Sequence, residues 1–163
     1  MATTNAATTY LEHRIHNFIF NNNAQVSSAN FGSGNANGLG SNIYVGLATA
    51  VSNFSDSTGE SADAGSVSVT EATFGGYLRV QTTAWDLVSA TANQQTAKNT
   101  NAIDFAAKTD SGTQTITHVF INDSLNSSGT NNFLFIGALD ASKTLAEGDI
   151  FRINATNLSI ELK

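Results

Sequence analysis

The 163-residue chain contains no cysteine and no proline, and only 12% of its residues are charged. Without cysteine it has no disulfide, no thiolate nucleophile and no cysteine-ligated zinc site. Without proline its turns depend on Gly, Asn, Asp and Ser, which suits hairpins between short strands. Charged residues make up about half the usual share, so the polar surface must consist mainly of neutral Asn, Ser, Thr and Gln. Surfaces of this kind often face other proteins.

Positive charge and long apolar runs are also scarce. Seven Lys and Arg stand against thirteen Asp and Glu, giving a formal net charge of -6, so there is no basic surface to attract a phosphate backbone and we expect no nucleic-acid partner. Apolar runs such as Phe133 to Leu139 are far shorter than the ~20 residues that span a bilayer. No basic flank precedes an apolar run at the N-terminus. We expect neither a membrane partner nor a secretion signal.

The N-terminal quarter of the chain predicts one helix followed by a loop. Apolar residues recur there at the i, i+4, i+7, i+8 spacing of an amphipathic helix, namely Leu11, Ile15, Phe18 and Ile19. Thr9 and Glu12 have the spacing of a capping box. Residues 26–41 are mostly Gly, Asn and Ser, which predicts a loop. We therefore divide the single domain into an N-terminal arm, helix and loop over residues 1–41 and a β domain over residues 42–163.

From residue 42 onward, short runs of β-branched and aromatic residues alternate with polar turns, which predicts an all-β, antiparallel fold. In the last two runs the apolar residues alternate, so Phe151 and Ile153 should lie on the face opposite Ile150 and Arg152. About seven or eight strands without a second helix fit a β-sandwich or jelly roll. The predicted strands are 43–47, 66–70, 77–88, 102–106, 115–121, 132–139, 149–154 and 158–162.

Two groups of side chains could bind a metal ion. His13 and His16 lie three residues apart on the predicted helix, whereas the H-E-x-x-H motif places its histidines four apart with the glutamate between them. The loop from residue 53 to residue 66 carries hard oxygen ligands of the kind that calcium prefers, namely Asp56, Glu60 and Asp63. It lacks the EF-hand pattern. We predict no metal site and assign these residues to solvated surfaces.

His118 is the remaining candidate for chemistry. It is predicted to lie in phase with Ile116 and Phe120, inside or at the rim of the sheet, with its ring bonded to a backbone group. No serine has the G-x-S-x-G setting of a nucleophile, and the glycines between residues 32 and 40 match neither phosphate-binding pattern. We predict no catalytic residues, no cofactor and no enzymatic activity. A small hydrolase that uses His118 with an acidic partner is the third hypothesis for function.

Four short motifs recur in a fixed order along the chain, namely Ile43 to Thr49, Gly75 to Val80, Ile116 to Asp123, and Leu134 to Leu139. Together they resemble a family of tailed-bacteriophage structural proteins, often labelled tail fibre, minor capsid or head decoration proteins. The resemblance extends to the N-terminal helix and the closing hairpin from Gly148 to Leu162, and the sequence departs from the family over residues 29–41. It implies a virion component with a β-sandwich or jelly-roll body and brings no catalytic residues.

The leading hypothesis is a non-enzymatic head decoration or cement protein that binds capsid subunits. It would form a small homo-oligomer in the virion, which is assembled in the host cytoplasm. A compact domain with a helix on a tether suits a clamp better than a shaft. Contacts between neutral polar and aromatic groups also tolerate salt, as contacts in a virion must. The predicted interface residues lie on the helix and in the loop after it, namely Leu11, Ile15, Phe18 and Phe31, with an intramolecular core as the alternative role.

The second hypothesis is a tail-associated fibre or receptor-binding module that recognises a host surface glycan. Its partners in the virion would be tail proteins instead of capsid proteins. Jelly rolls carry lectin sites, and aromatic side chains can stack against sugar rings. The candidates for such stacking are Tyr44, Tyr77 and Trp85.

Overall fold

The computed structural model describes residues 6–7, 43–52, 67–82, 85–90, 94–122, 125 and 133–162. In this part of the chain all regular structure is β, and every strand pair is antiparallel, which confirms the predicted all-β class. The predicted helix, the loop after it and the acidic loop lie outside the described residues. The strands are β1 (Ala6–Ala7), β2 (Ile43–Ser52), β3 (Ser68–Glu71), β4 (Val80–Thr82), β5 (Trp85–Ala90), β6 (Gln94–Asn99), β7 (Ile103–Asp104), β8 (Gln114–Asn122), β9 (Phe133–Leu145), β10 (Arg152–Ile153) and β11 (Ser159–Leu162).

The largest sheet has the strand order β1-β9-β8-β2-β3, and β4 pairs with β2 beside β3. Its centre is formed by β2 and β8, which are rich in the β-branched and aromatic residues that favour a half-buried pleated surface. β3 and β4 share one edge of β2: β3 pairs along Ala48–Ser52 and β4 along Ile43–Val45. The strand predicted at 66–70 therefore exists as β3, over Ser68–Glu71, at the end of this sheet.

Two smaller sheets accompany the large one. β7 pairs with β10, and β11-β6-β5 form a three-stranded sheet. The chain crosses from the large sheet to the three-stranded sheet between β4 and β5, so the predicted single strand over 77–88 is wrong. The alternation predicted around β10 is confirmed, because Phe151 is buried while Ile150 is 56% exposed. The sandwich or jelly-roll arrangement stays a prediction.

The large sheet has buried residues on both faces. We call the larger group the main core; it receives side chains from the large sheet and from the segments that carry β7 and β10, including Phe105 and Phe151. A second core lies on the other face. The main core comprises Val45, Leu47, Ala72, Phe74, Ile103, Phe105, Ile116, Val119, Ile121, Leu134, Leu145 and Phe151, and the second core comprises Ala48, Phe120, Phe133 and Ile136.

Phe120 packs closely on the backbone of the central strand. A Cβ atom at Gly46, its partner in the β2–β8 register, would overlap the Phe120 ring, so this position requires glycine. The ring also contacts Phe133 edge-on, with 5.1 Å between centroids. The guanidinium carbon of Arg79 lies 5.1 Å from the Phe120 ring centroid, at the distance of a cation–π contact. Phe120 thus joins β2, β8 and β9 to the segment that leads into β4.

A bulge interrupts the pairing of β8 with β9. Ile116 pairs with Lys143, but His118 pairs with Ala138, so β9 has extra residues at this point. Along β8, Ile116 and Val119 belong to the main core, whereas Phe120 belongs to the second core. Ile116 and Phe120 therefore do not share a face, and the prediction that His118 lies in phase with both is wrong.

Candidate functional site

A cleft of about 300 Å³ lies between β9 of the large sheet and the segment that runs into β11. One wall is formed by residues 135–140 of β9 and the other by Ile153 and residues 157–160, with Val119 and Ile121 of β8 also lining the cleft. The cleft therefore lies where strands of the three sheets meet. Junctions of this kind commonly provide ligand sites, because each side supplies different side chains.

The inner part of the cleft is apolar. Phe135, Leu139, Leu158 and Ile160 are partly buried and pack against the main core. Polar groups lie around them: Asp140, Asn157 and Ser159 are exposed, while the lining backbone of β9 adds peptide groups. An apolar floor with a few polar groups is typical of small-ligand sites.

Asn99 fixes the β11 wall of the cleft. Its side chain is fully buried and donates through Nδ2 to the carbonyl oxygens of Asn101, at 2.8 Å, and Asn154, at 2.9 Å. Its Oδ1 accepts from the backbone N–H of Leu158 at 2.9 Å, and its carbonyl accepts from Thr156 at 2.8 Å. Thr156 has a φ of 67°, a left-handed conformation that costs free energy for a β-branched residue. These bonds hold the turn in that conformation.

A second group of buried polar side chains lies at the C-terminal end of β3. The Arg79 guanidinium is 1% exposed and binds both carboxylate oxygens of Glu71 at 2.7 Å. Tyr77 donates its hydroxyl proton to Glu71 at 2.8 Å and accepts from the backbone N–H of Leu47 at 2.9 Å. Burial raises the pKa of Tyr77 well above its usual range. Since the charges are paired and saturated with hydrogen bonds, we regard this group as structural.

The predicted stacking residues do not line the cleft. The Tyr77 ring lies between Phe74 and Phe105, with centroid distances of 5.3 and 6.1 Å, and its hydroxyl is already bonded. Trp85 packs against the main core. Tyr44 is partly buried in β2, between β4 and β8. The aromatic ring that does line the cleft belongs to Phe135.

His118 is partly buried in β8, where it pairs with Ala48 of β2 and Ala138 of β9. Its Nδ1 lies 2.7 Å from the Thr117 hydroxyl, which in turn lies 2.9 Å from the Thr49 carbonyl. Because a hydroxyl has one proton and the carbonyl can only accept, we assign Nδ1–H of His118 as the donor to Thr117. The predicted bond to a backbone group is thus replaced by one to a side chain. Desolvation lowers the pKa of His118.

The other residues selected from the sequence are not placed. The predicted interface residues and both groups of metal candidates lie outside the described residues: Leu11, Ile15, Phe18, Phe31, His13, His16, Asp56, Glu60 and Asp63. Within the described residues, no three His, Cys, Asp or Glu side chains form a group that could hold a metal ion. Within those same ranges, no helix is long and apolar enough to cross a membrane.

The cleft residues belong to no sequence motif that could have identified them. Asp140, Asn157 and Ser159 are ordinary polar residues in strands and turns, and they meet only because β9 and β11 belong to neighbouring sheets. The apolar lining residues have the same alternation as any core strand.

The family model for the Podophage GP4 fiber I protein gp80 matches residues 6–161. The chain belongs to this family. The match covers nearly the whole sequence and confirms the resemblance to tailed-phage structural proteins. The family is described as a fibre protein, which agrees better with the tail-fibre hypothesis than with head decoration. A fibre protein is associated with the virion and with other virion proteins. No curated protein matches the chain.

Proposed function

We propose that this gp80-family chain is a non-enzymatic component of the tail fibre of a phage, and that its cleft between β9 and β11 binds a host surface glycan. The match to a family of fibre proteins over residues 6–161 supports the fibre role. Head decoration, the leading hypothesis from the sequence, has no observation in its favour beyond membership of a virion family. The homo-oligomer, assembly in the host cytoplasm and the interface residues on the N-terminal helix stay predictions.

The chemistry of the cleft favours a neutral sugar. The Asp140 carboxylate can accept hydrogen bonds from hydroxyls, and the Asn157 amide and Ser159 hydroxyl can both donate and accept. Phe135 and Leu139 offer an apolar surface to the C–H face of a sugar ring. The carboxylate and the net charge of -6 disfavour acidic sugars. A volume of about 300 Å³ suits one or two sugar rings.

The fibre role is tested by locating the chain on intact particles. Antibodies against the purified chain, coupled to gold and viewed by electron microscopy, should label the tail. Labelling spread over the head would contradict the fibre role and restore the decoration hypothesis.

The glycan role is tested on a glycan array with a cleft variant and a matched surface variant. Asn157→Ala with Ser159→Ala removes polar groups from the cleft and should weaken binding by roughly tenfold or more. Thr115→Ala with Thr144→Ala removes an exposed hydroxyl pair, 2.9 Å apart, from the large sheet and should bind like the wild type. Absence of wild-type binding, or equal binding by the cleft variant, would contradict this role.

A further inference from the structure

Two large apolar side chains are exposed on the segments that flank β7. Leu78 is 70% exposed and Ile150 is 56% exposed, and only one other large apolar side chain among the described residues is exposed. Leu78 precedes β4 and Ile150 precedes β10, and neither lines the cleft. Exposed apolar side chains that are scattered singly are common, whereas a contiguous group of them marks an interaction site.

Ile150 lies beside Ala106. β10 pairs antiparallel with β7, and the Phe105 N–H donates to the Phe151 carbonyl at 3.0 Å, which continues this pairing by one residue. The next two residues in the same register are Ile150 and Ala106. Both are exposed, whereas Phe105 and Phe151 are buried. Ile150 and Ala106 therefore point away from the main core.

Leu78 lies on the other side of Ala106. The Thr109 N–H donates to the Gly75 carbonyl at 2.9 Å, and β4 contacts β7. The two segments therefore run antiparallel, and continuing the register from Thr109 and Gly75 places Leu78 opposite Ala106. Three exposed apolar side chains on neighbouring segments thus form one row, which we call the apolar row: Leu78, Ala106 and Ile150.

The two sides of the apolar row differ in charge. Arg152 lies two residues beyond the row on the same face, is 59% exposed and is paired with Asp104. On the other side, the turn before β10 carries the exposed carboxylates of Glu147 and Asp149. A second copy that packs face to face with its strands antiparallel brings each Arg152 to the acidic side of the other copy. Parallel strands would instead bring the two acidic sides together, which is unfavourable.

We propose that the apolar row is the contact surface of a two-fold dimer of this chain, with the symmetry axis along the row. A two-fold interface uses the same patch on both partners, so each side chain of the row packs against its counterpart. The apolar side chains supply most of the affinity, because charges at the rim of an interface mainly fix orientation. This proposal goes beyond the function proposed above and holds whether or not the cleft binds a sugar.

The oligomeric state of the full purified chain tests the surface. Sedimentation equilibrium over a dilution series should give twice the mass of one chain at the higher concentrations. Leu78→Ser with Ile150→Ser should raise the dimer dissociation constant about a hundredfold or more. Because both side chains are exposed, this variant should keep the circular dichroism spectrum of the wild type.

Leu125→Ser is the matched control for the double variant. It changes the third large exposed apolar side chain, which follows β8 and is 47% exposed, and it should dimerise like the wild type. A wild-type chain that is monomeric at every concentration, or that forms a larger oligomer, would overturn the proposal. A dimer that persists undiminished in the double variant would also overturn it.

A single cysteine tests the orientation of the axis, because the chain has no cysteine of its own. Ala106→Cys places the two thiols of a dimer opposite each other, so the short thiol cross-linker dibromobimane should join the chains, seen by denaturing electrophoresis. Asp104→Cys is the control on the same strand and face. With antiparallel copies its two thiols lie roughly 13 Å apart along the strands, at 3.3 Å per residue, and should not be joined. Cross-linking of Asp104→Cys as fast as Ala106→Cys, or of neither variant, would overturn the proposed axis.

Discussion

Two ion pairs in this molecule differ sharply in burial, although both are bidentate arginine–carboxylate pairs. Arg79 is 1% exposed and Glu71 is 15% exposed, whereas Arg152 and Asp104 are 59% and 46% exposed. Taking charges out of water is costly, so a buried pair is stable only while both partners are present. Exposed pairs are solvated with or without a partner and contribute little.

Replacing Arg79 should therefore destabilise the fold strongly. Arg79→Met leaves the Glu71 carboxylate without its cation in a low-dielectric site and removes the contact with the Phe120 ring, at a cost of about 3–5 kcal/mol. Arg152→Met is the matched control and should leave the denaturation midpoint close to that of the wild type. Urea denaturation followed by circular dichroism measures both. Equal midpoints for the two variants would contradict the structural role of the Arg79–Glu71 pair.

His118 should make the fold less stable as the solution becomes acidic. Desolvation lowers the pKa of His118 in the folded state, so below the ordinary histidine pKa of about 6.5 the unfolded chain binds a proton that the folded chain does not. Stability therefore falls as pH decreases through this range. Hydrogen bonds from Arg152 and Lys108 lower the pKa values of Asp104 and Asp110, which act in the same direction only at much lower pH.

The variant His118→Gln isolates this effect. Its loss of stability between about pH 7 and pH 5 should be smaller than that of the wild type, while His13 and His16 are unchanged in both proteins. Thermal unfolding at a series of pH values supplies the comparison. Parallel curves for the two proteins would contradict the desolvation of His118.

At the scale of elements, the sequence predicted strands where alternation is strong and missed those that depend on neighbours. β2, β8 and β9 are rich in Ile, Val and Phe, and their starts were predicted to within one residue, but β2 continues to Ser52 and β9 to Leu145, well beyond the predicted ends at 47 and 139. β6, with the sequence Gln-Gln-Thr-Ala-Lys-Asn, was not predicted because it lacks apolar alternation. It forms because β5 and β11 flank it with complementary edges.

The candidate site could not be predicted in the same way, because its geometry depends on non-local contacts. The bulge at Leu139 to Ser142 follows from the register of β8 against β9, not from any local signal. The β11 wall depends on the bonds of Asn99, which reach residues 154 and 158. From the sequence alone, Asn99 is one of many asparagines in this chain.

Asn99 should stabilise the β11 wall of the cleft more than it stabilises the large sheet. Asn99→Ala leaves the Leu158 N–H and the Asn154 carbonyl without partners, which costs about 1–3 kcal/mol, and releases the turn at Thr156. Backbone amides of Thr156 and Leu158 should then exchange faster with solvent, while those of β8 keep their protection.

Asn101→Ala provides the control, since Asn101 is exposed and contributes only its backbone carbonyl to this network. It should match the wild type in both stability and exchange. An Asn99→Ala protein that loses protection evenly across β8 and β11 would contradict a local role for this side chain.

At the scale of the whole molecule, a fibre component must stay attached to its particle when the salt concentration around it changes. Charge pairs between exposed groups are screened within about 10 Å at 0.1 M salt and within about 3 Å at 1 M. This chain has only 12% charged residues and a net charge of -6. An interface built from its surface must therefore depend mainly on apolar contacts and neutral hydrogen bonds, which salt does not weaken.

Attachment to the virion should accordingly resist salt. Particles held in NaCl from about 0.1 to about 1 M and then pelleted should keep the chain in the pellet at a constant ratio to the major capsid protein. Urea weakens apolar and peptide contacts together and should release the chain. Release at modest salt would mean that attachment depends on exposed ion pairs, in which case the few charged residues would have to be concentrated at the interface.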